Sequence, residues 1–328
     1  MRALLVSELG DPASVLRLVD RPTPQPSIGE VRIDVQSCAL NFPDVLLCQG
    51  KYQVRPDLPF TPGIEVAGVV TAIGEGVTRA TVGDRVLASP SYAHGGLAEQ
   101  TLAPESSVYV LPESMGFDHG AALHITYHTG HVALRRRANL QAGETLLVHA
   151  GAGGTGTAAI QLGKAFGATV IATAGGADKV DLCRRLGADL AIDYTNDFVE
   201  PVKQFTNGRG ADVIFDPVGG DVFDKSTKVI AWEGRILIIG FTSGRIAEAK
   251  TNHVLIKNYS VVGVHWGNYA LHEPALNDAI HLELCDLFAK GLIEPLVSEV
   301  LALAEAPAAL MRIAARGSVG KIVIHPHA

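Results

Sequence analysis

Cysteine is scarce in this chain: four in 328 residues (Cys38, Cys48, Cys183 and Cys285), none at C-x-x-C spacing. That argues against a disulfide framework and points to reduced thiols and a cytoplasmic protein. Long apolar runs are missing too, since none approaches the ~20 residues needed to span a bilayer. The opening Met1-Arg-Ala-Leu-Leu-Val reads as a first strand, too short for a signal peptide's apolar core and cleavage site. Positive charge is not in excess: the formal net charge is −7, which removes any general attraction to nucleic acid or anionic membrane. No repeat or low-complexity segment interrupts the chain. What remains is 47% hydrophobic residues over a length suited to about two packed domains.

The most informative stretch is 144–156. Residues 146–150 form a short, almost wholly apolar run, as expected of a parallel strand buried on both faces. Gly151, Gly153 and Gly156 follow at G-x-G-x-x-G spacing, with Gly154 and Thr155 between them, and 157–166 reads as a helix. In such a turn the first glycine permits the bend and the second lets backbone amides approach a pyrophosphate. The third lets helix and strand pack closely. The helix N-terminus adds free N–H groups and partial positive charge. A further strand at 169–173 completes the context that gives the motif meaning, so the chain is expected to bind a dinucleotide.

Before this turn, residues 1–110 are rich in strands and turns, with candidate strands at 31–35, 65–73 and 83–87, and barrel-like packing is expected. A helix is expected at 119–137. After the turn, strands at 169–173, 190–193, 213–216, 236–240 and 260–264 alternate with helices such as 178–186 and 222–230. That alternation predicts a doubly wound parallel sheet. A helix at 279–290 and a strand at 321–324 end the chain and are expected to return to the first domain.

Several separated motifs share one resemblance. Asn41-Phe-Pro-Asp44, Gln49-Gly-Lys-Tyr52, Pro59-Phe-Thr-Pro-Gly-Ile-Glu-Val-Ala-Gly68, Gly83-Asp-Arg-Val86, Gly95-Gly-Leu-Ala-Glu99 and the glycine turn resemble the medium-chain dehydrogenase/reductase superfamily. Within it the chain is most similar to the zinc-independent NADPH:quinone oxidoreductases, the zeta-crystallin-like branch. The resemblance implies an α/β chain: a GroES-like β-rich catalytic domain (1–122 and 266–328) plus a Rossmann doubly wound parallel sheet (123–265). It also implies an active site in the cleft between the domains, and a homodimer paired through the edge strand 260–264.

Metal decides between branches of that superfamily. Zinc alcohol dehydrogenases carry a catalytic cysteine where this chain has Asn41, and a histidine where it has Ile64. Isoleucine cannot ligate zinc, and the four-cysteine lobe is absent between Gly83 and Pro112. His124, His128 and His131 are spaced to share a helix face, but they are read as packing and polar contacts. No metal is expected, which leaves hydride position, hydrogen bonds and a proton donor as the available tools. Those suit acceptors activated by conjugation.

By resemblance, Asn41 lies near the nicotinamide, as a contact to substrate or cofactor, although a loop amide bonding its own backbone is the plainer alternative. Tyr52 matches a tyrosine of substrate binding or proton donation, against a packed aromatic with a satisfied hydroxyl. Asp44 is read as ordering its loop. Thr126 and Thr129 match the hinge near the nicotinamide, Phe241 and Ser243 a loop along the cofactor, and Lys321 a basic residue near it. His265 and Trp266 are candidates for the acceptor pocket, with interface packing of the Trp equally open. NADPH is expected over NADH because no acid ends the strand at 169–173. Gly175, Lys179 and Tyr194 instead offer room, charge and a hydroxyl to a 2′-phosphate, with Asp178 expected to face solvent.

The function so implied is NADPH-dependent reduction of quinones or other conjugated carbonyls. The alternatives are an enoyl-thioester reductase of the acryloyl- or crotonyl-CoA type, and an NADPH-binding protein with little turnover. Nucleic acid is an unlikely partner for so acidic a chain.

Overall fold

The computed structural model describes residues 1–328. The chain divides into two compact units, one of residues 1–125 with 295–328 and the other of residues 126–294.

The first unit is built around the strand Glu30–Ala39. Val31, Ile33 and Val35 alternate with partly exposed neighbours and are fully buried, as a strand with one face on a core requires. This strand pairs antiparallel with three others: Val66–Ile73 along most of its length, Gln100–Pro104 across residues 30–34, and Lys321–His325 at Cys38 and Ala39. Arg85–Ala88 and Val108–Val110 extend the sheet on one side. On the other, Val297–Ala302 runs parallel to Lys321–His325. The hairpin Arg2–Val6 with Leu16–Asp20 adds Leu4 and Val6 to the same apolar core as Ile33, Phe60 and Ile324.

The second unit is a six-stranded, wholly parallel sheet. Its order is Leu190–Asp193, Thr169–Ala174, Thr145–Val148, Ala211–Asp216, Ile230–Ile238, Ser260–Gly263. Every residue of the two central strands, Thr145–Val148 and Ala211–Asp216, is buried, which explains the apolar runs 146–148 and 213–215 within them. Chain order reverses between these two strands, and in such sheets the carboxyl ends at the reversal form the ligand crevice.

Three expectations need correction. The return to the first unit comes at Pro295, not at 266. The helix Pro274–Ala289 buries Ile280, Leu284, Asn277 and His281, and the ring of His281 stacks on that of His128. Gln161 then holds Glu294 at both its N–H and its C=O, 2.6 and 2.9 Å away, so the chain stays in the second unit to that point. Secondly, the nucleotide-turn helix is Gly154–Ala165, three residues earlier than its apolar periodicity begins. Glycines at 154 and 156 hid its first turn. Thirdly, the fifth strand of the sheet starts at Ile230 where a helix end was expected. Glu233 adopts a left-handed φ of 58° there, and the pairing register with the preceding strand slips.

Candidate active site

In the first unit Asn41 and Lys321, two of the expected site residues, meet in a buried polar cluster with Glu65. Asn41 begins the helix Phe42–Cys48 as its cap. Its amide nitrogen donates to Glu65 Oε1 at 2.8 Å and to the carbonyl of Ala39 at 3.1 Å. Its Oδ1 accepts from Lys321 Nζ at 2.7 Å, and the same ammonium contacts Glu65 Oε1 closely. Glu65 Oε2 accepts the N–H of Ile125 at 2.8 Å. Both hydrogens of the Asn41 amide are thus committed, leaving Oδ1 as the side chain's acceptor. Lys321 is 4% exposed and engaged by this cluster, so its ammonium serves Glu65 and Asn41.

Asp44 is wholly buried beside this cluster. It accepts N–H bonds from Asn41 at 2.8 Å, Gly63 at 2.9 Å and Ile64 at 3.2 Å, closing the capping box and holding the 63–65 loop. Its loop-ordering role is visible in those three bonds. Burial pushes its carboxyl up to about 7, opposed by the N–H groups of Asn41 and Gly63 and by Lys321.

Tyr52 is half-buried, with its ring centroid 6.5 Å from that of Tyr92. Burial foremost, then the neighbouring Tyr92 and Asp44, push its phenol up to about 12. The hydroxyl therefore keeps its proton throughout the neutral range.

In the second unit the glycine turn sits at the carboxyl end of Thr145–Val148. Its left-handed residue is Ala150, with φ 50°, and not Gly151 as the motif suggests. Gly151 is needed for space, since a Cβ there would lie 2.9 Å from Cys183 Sγ and 3.1 Å from the Ala172 methyl. At Gly156 a Cβ would stand 2.1 Å from the Ala150 carbonyl oxygen, the close helix–strand approach expected of the third glycine. Gly153 caps the helix Gly154–Ala165, whose first N–H groups have no intrahelical partners.

At the tips of the next two strands, the Tyr194 ring lies against Gly175, and Lys179 follows on the helix Ala177–Arg185. Asp178 is exposed, as expected. The Gly176 amide does not face outward: it donates to Asp193 Oδ1 at 3.1 Å, an acceptor shared with the N–H and hydroxyl of Thr195. Phe241 and Ser243 lie in the loop after Ile230–Ile238, packed on Gly219 and Gly220.

Asp216, at the carboxyl end of Ala211–Asp216, is not among the site residues expected from sequence. Its Oδ1 accepts the N–H groups of Val218 and Gly219 at 2.8 and 2.9 Å, whereas Oδ2 is buried with no partner. An orphaned acceptor at the point of sheet reversal fits a ligand that brings its own donor. Pro217-Val-Gly-Gly220 immediately after it, a second glycine turn, was the available signal.

The structure also separates residues grouped in sequence. His124 Nε2 lies 2.9 Å from Ser89 Oγ, His128 packs against Trp266 and His281, and His131 Nε2 lies 2.8 Å from Glu283. Trp266 is partly buried and donates from Nε1 to Asn277 at 3.1 Å, while His265 is exposed. Thr126 is buried on the helix Phe117–His131.

The raised Asp44 value sets a pH dependence. The folded state keeps a proton that the unfolded chain, at an ordinary 3.8, releases. The associated stability is complete below about pH 4 and is lost as pH rises to about 7, by up to about 1.4 kcal/mol per pH unit. Between pH 5 and pH 8, urea denaturation should show wild type losing stability relative to Asp44→Asn. A constant difference would mean that Asp44 is ionised throughout.

Comparison with known proteins agrees with this architecture. Residues 27–113 match the alcohol dehydrogenase GroES-like domain, and residues 154–281 the zinc-binding dehydrogenase family. A quinone oxidoreductase-like protein 2 homolog of Nematostella vectensis is 40% identical over 99% of this chain and 88% of its own length. A mycobacterial protein solved in complex with NADPH superposes with TM-score 0.92 at 32% identity, covering 99% of this chain and 100% of that one. The Escherichia coli quinone oxidoreductase complexed with NADPH gives TM-score 0.92 at 27% identity over 99% and 100%. The CurK enoyl reductase gives 0.87 at 29% over 99% and 98%. With a GroES-like unit, a Rossmann unit and full-length similarity to such relatives, the chain belongs to the quinone oxidoreductase-like proteins of the medium-chain dehydrogenase/reductase superfamily.

Proposed function

We propose that this protein transfers hydride from NADPH to quinones or other conjugated carbonyl acceptors, without a metal. The observation that carries this reading is the donor set around Asn41. Where zinc relatives place a thiolate and an imidazole, this chain places an amide and the apolar Ile64. The hydrogen-bonding capacity of Asn41 and Glu65 is directed to an ammonium. Such a cluster suits a cation it already contains and not a zinc ion. Lacking a Lewis acid, the site favours acceptors whose conjugation already activates them.

NADPH supplies the hydride from its nicotinamide ring. The chain's own residues bind and orient. Amides at the start of Gly154–Ala165 would hold the pyrophosphate, and Lys179 and Tyr194, beside Gly175, would hold the 2′-phosphate. Asp216 Oδ2, buried with no partner, would accept a hydrogen bond from the cofactor. Asp193 opposes the 2′-phosphate by charge, offset by the three donors it already holds. Tyr52, protonated at neutral pH, gives its hydroxyl proton to the reduced acceptor's oxygen. Asn41 accepts at Oδ1.

A second reading, reduction of an enoyl thioester, is favoured by the similarity to an enoyl reductase. The deciding experiment is an NADPH-oxidation panel of quinones, alkenals and short enoyl-CoA esters, compared by kcat/KM, on protein whose zinc content is measured. Preference for quinones or alkenals at substoichiometric zinc is the expected result. Stoichiometric zinc required for turnover would overturn the metal-free reading. Negligible turnover with every acceptor would favour a binding protein.

Lys179→Ala should weaken NADPH binding on the order of 10- to 100-fold, the worth of one charge-assisted hydrogen bond, and leave NADH nearly unchanged. Equal losses for both would remove Lys179 from the phosphate site. Tyr52→Phe should lower kcat/KM at most within roughly the 10²–10⁴-fold range of acid catalysis, least for activated quinones. An unchanged rate with all acceptors would assign Tyr52 to packing. We further propose a homodimer paired through Ser260–Gly263. That strand ends the sheet order beside Leu255 and Ile256, which are 80% and 73% exposed. Sedimentation at micromolar concentration should give twice the chain mass, and a monomer would refute the pairing.

A further inference from the structure

The glycine turn must hold its amides in one geometry, although its pivotal residue, Ala150, sits in a left-handed conformation that alanine disfavours. Backbone bonds account for part of the constraint. His149 N–H donates to the Phe215 carbonyl at 3.0 Å, and Gly151 N–H to the Thr173 carbonyl at 2.8 Å. The rest comes from the His149 side chain, 1% exposed, between two hydroxyls. Nδ1 lies 2.9 Å from Thr173 Oγ1, and Nε2 lies 2.8 Å from Ser226 Oγ.

The tautomer follows from where Ser226 spends its proton. Its hydroxyl donates to the Val222 carbonyl at 2.8 Å, so towards His149 it accepts. Nε2 therefore carries the hydrogen, and Nδ1 is bare and accepts from the Thr173 hydroxyl. Three bonds run in one direction: Thr173 to His149, His149 to Ser226, Ser226 to Val222. Burial holds the imidazole down to about 3, so this neutral form persists at physiological pH.

The chain of bonds joins three elements. Thr173, next to last in the strand Thr169–Ala174, holds Gly151 N–H by its own carbonyl. Ser226 ends the helix Gly220–Ser226, onto which the 240–245 loop is latched by Arg245, bonded to Asp221 at 2.8 Å and to Asp224 at 2.6 Å. We propose that His149 is a positioning residue for the dinucleotide. Its fixed tautomer braces the pyrophosphate turn against the helix that carries the 240–245 loop. The proposal rests on reading this turn as the NADPH pyrophosphate site.

The test reads binding and stability, not turnover. NADPH and adenosine 2′-monophosphate, which has no pyrophosphate, are titrated by fluorescence against wild type, Thr173→Val, Thr173→Ser and Ser226→Ala, with the ligand-free thermal midpoint of each. Thr173→Val and Ser226→Ala should each raise the NADPH Kd by about 10- to 100-fold, as for a buried partner left unsatisfied. Ser226→Ala should leave the adenosine 2′-monophosphate Kd unchanged, and Thr173→Ser should restore wild-type NADPH affinity. A lowered midpoint with unchanged NADPH Kd would make the bonds merely structural and overturn the proposal, as would equal weakening of both ligands by Ser226→Ala. A wild type that binds no NADPH would overturn the reading of the turn and the proposal with it.

Discussion

The Lys321 ammonium binds Asn41 and Glu65 across 280 and 256 residues of sequence, and the first unit depends on that reach. The last strand inserts beside Glu30–Ala39 and delivers the lysine to a place where two carboxylates are fully buried. A buried carboxylate without a partner is costly, and removing one member of a buried pair typically costs about 3–5 kcal/mol. The pair therefore couples closure of the discontinuous unit to the geometry of its polar cluster. Asn41 is oriented by the same contacts, which turns a versatile amide into an acceptor alone.

In the second unit the governing constraint is contact distance. Helix and strand approach until no side chain fits at Gly156, and the bend is made at Ala150 by neighbours that over-determine it. Strained backbone persists where surrounding bonds exceed its cost of order 1–3 kcal/mol. His149 fits that pattern: an apolar strand carries one imidazole at its end, and every proton around that imidazole has a fixed destination.

The two units handle buried polarity differently. Around Asn41 the groups are ionic and answered by one another. Around the turn they are neutral hydroxyls and an imidazole in a directed series, and Asp216 alone keeps an unanswered oxygen. The neutral series costs little to bury because each of its members has a partner.

Much of this was legible in sequence. Apolar runs marked the buried parallel strands, and glycine spacing marked the nucleotide turn. These are local signals, set by the burial of one strand or the space around one backbone atom. Periodicity failed where glycine began a helix at Gly154 and where a left-handed Glu233 let a strand begin early at Ile230. The boundary at Pro295, the bonds of Lys321 and the His149 relay could not be read, because their partners lie dozens to hundreds of residues away. By itself the sequence determined which segments could be strand, turn and helix, and which side chains could ligate, donate or ionise. Only the tertiary structure decided which of those groups spend their hydrogen bonds on one another, since a side chain's capacity is local but its partner is chosen by the fold.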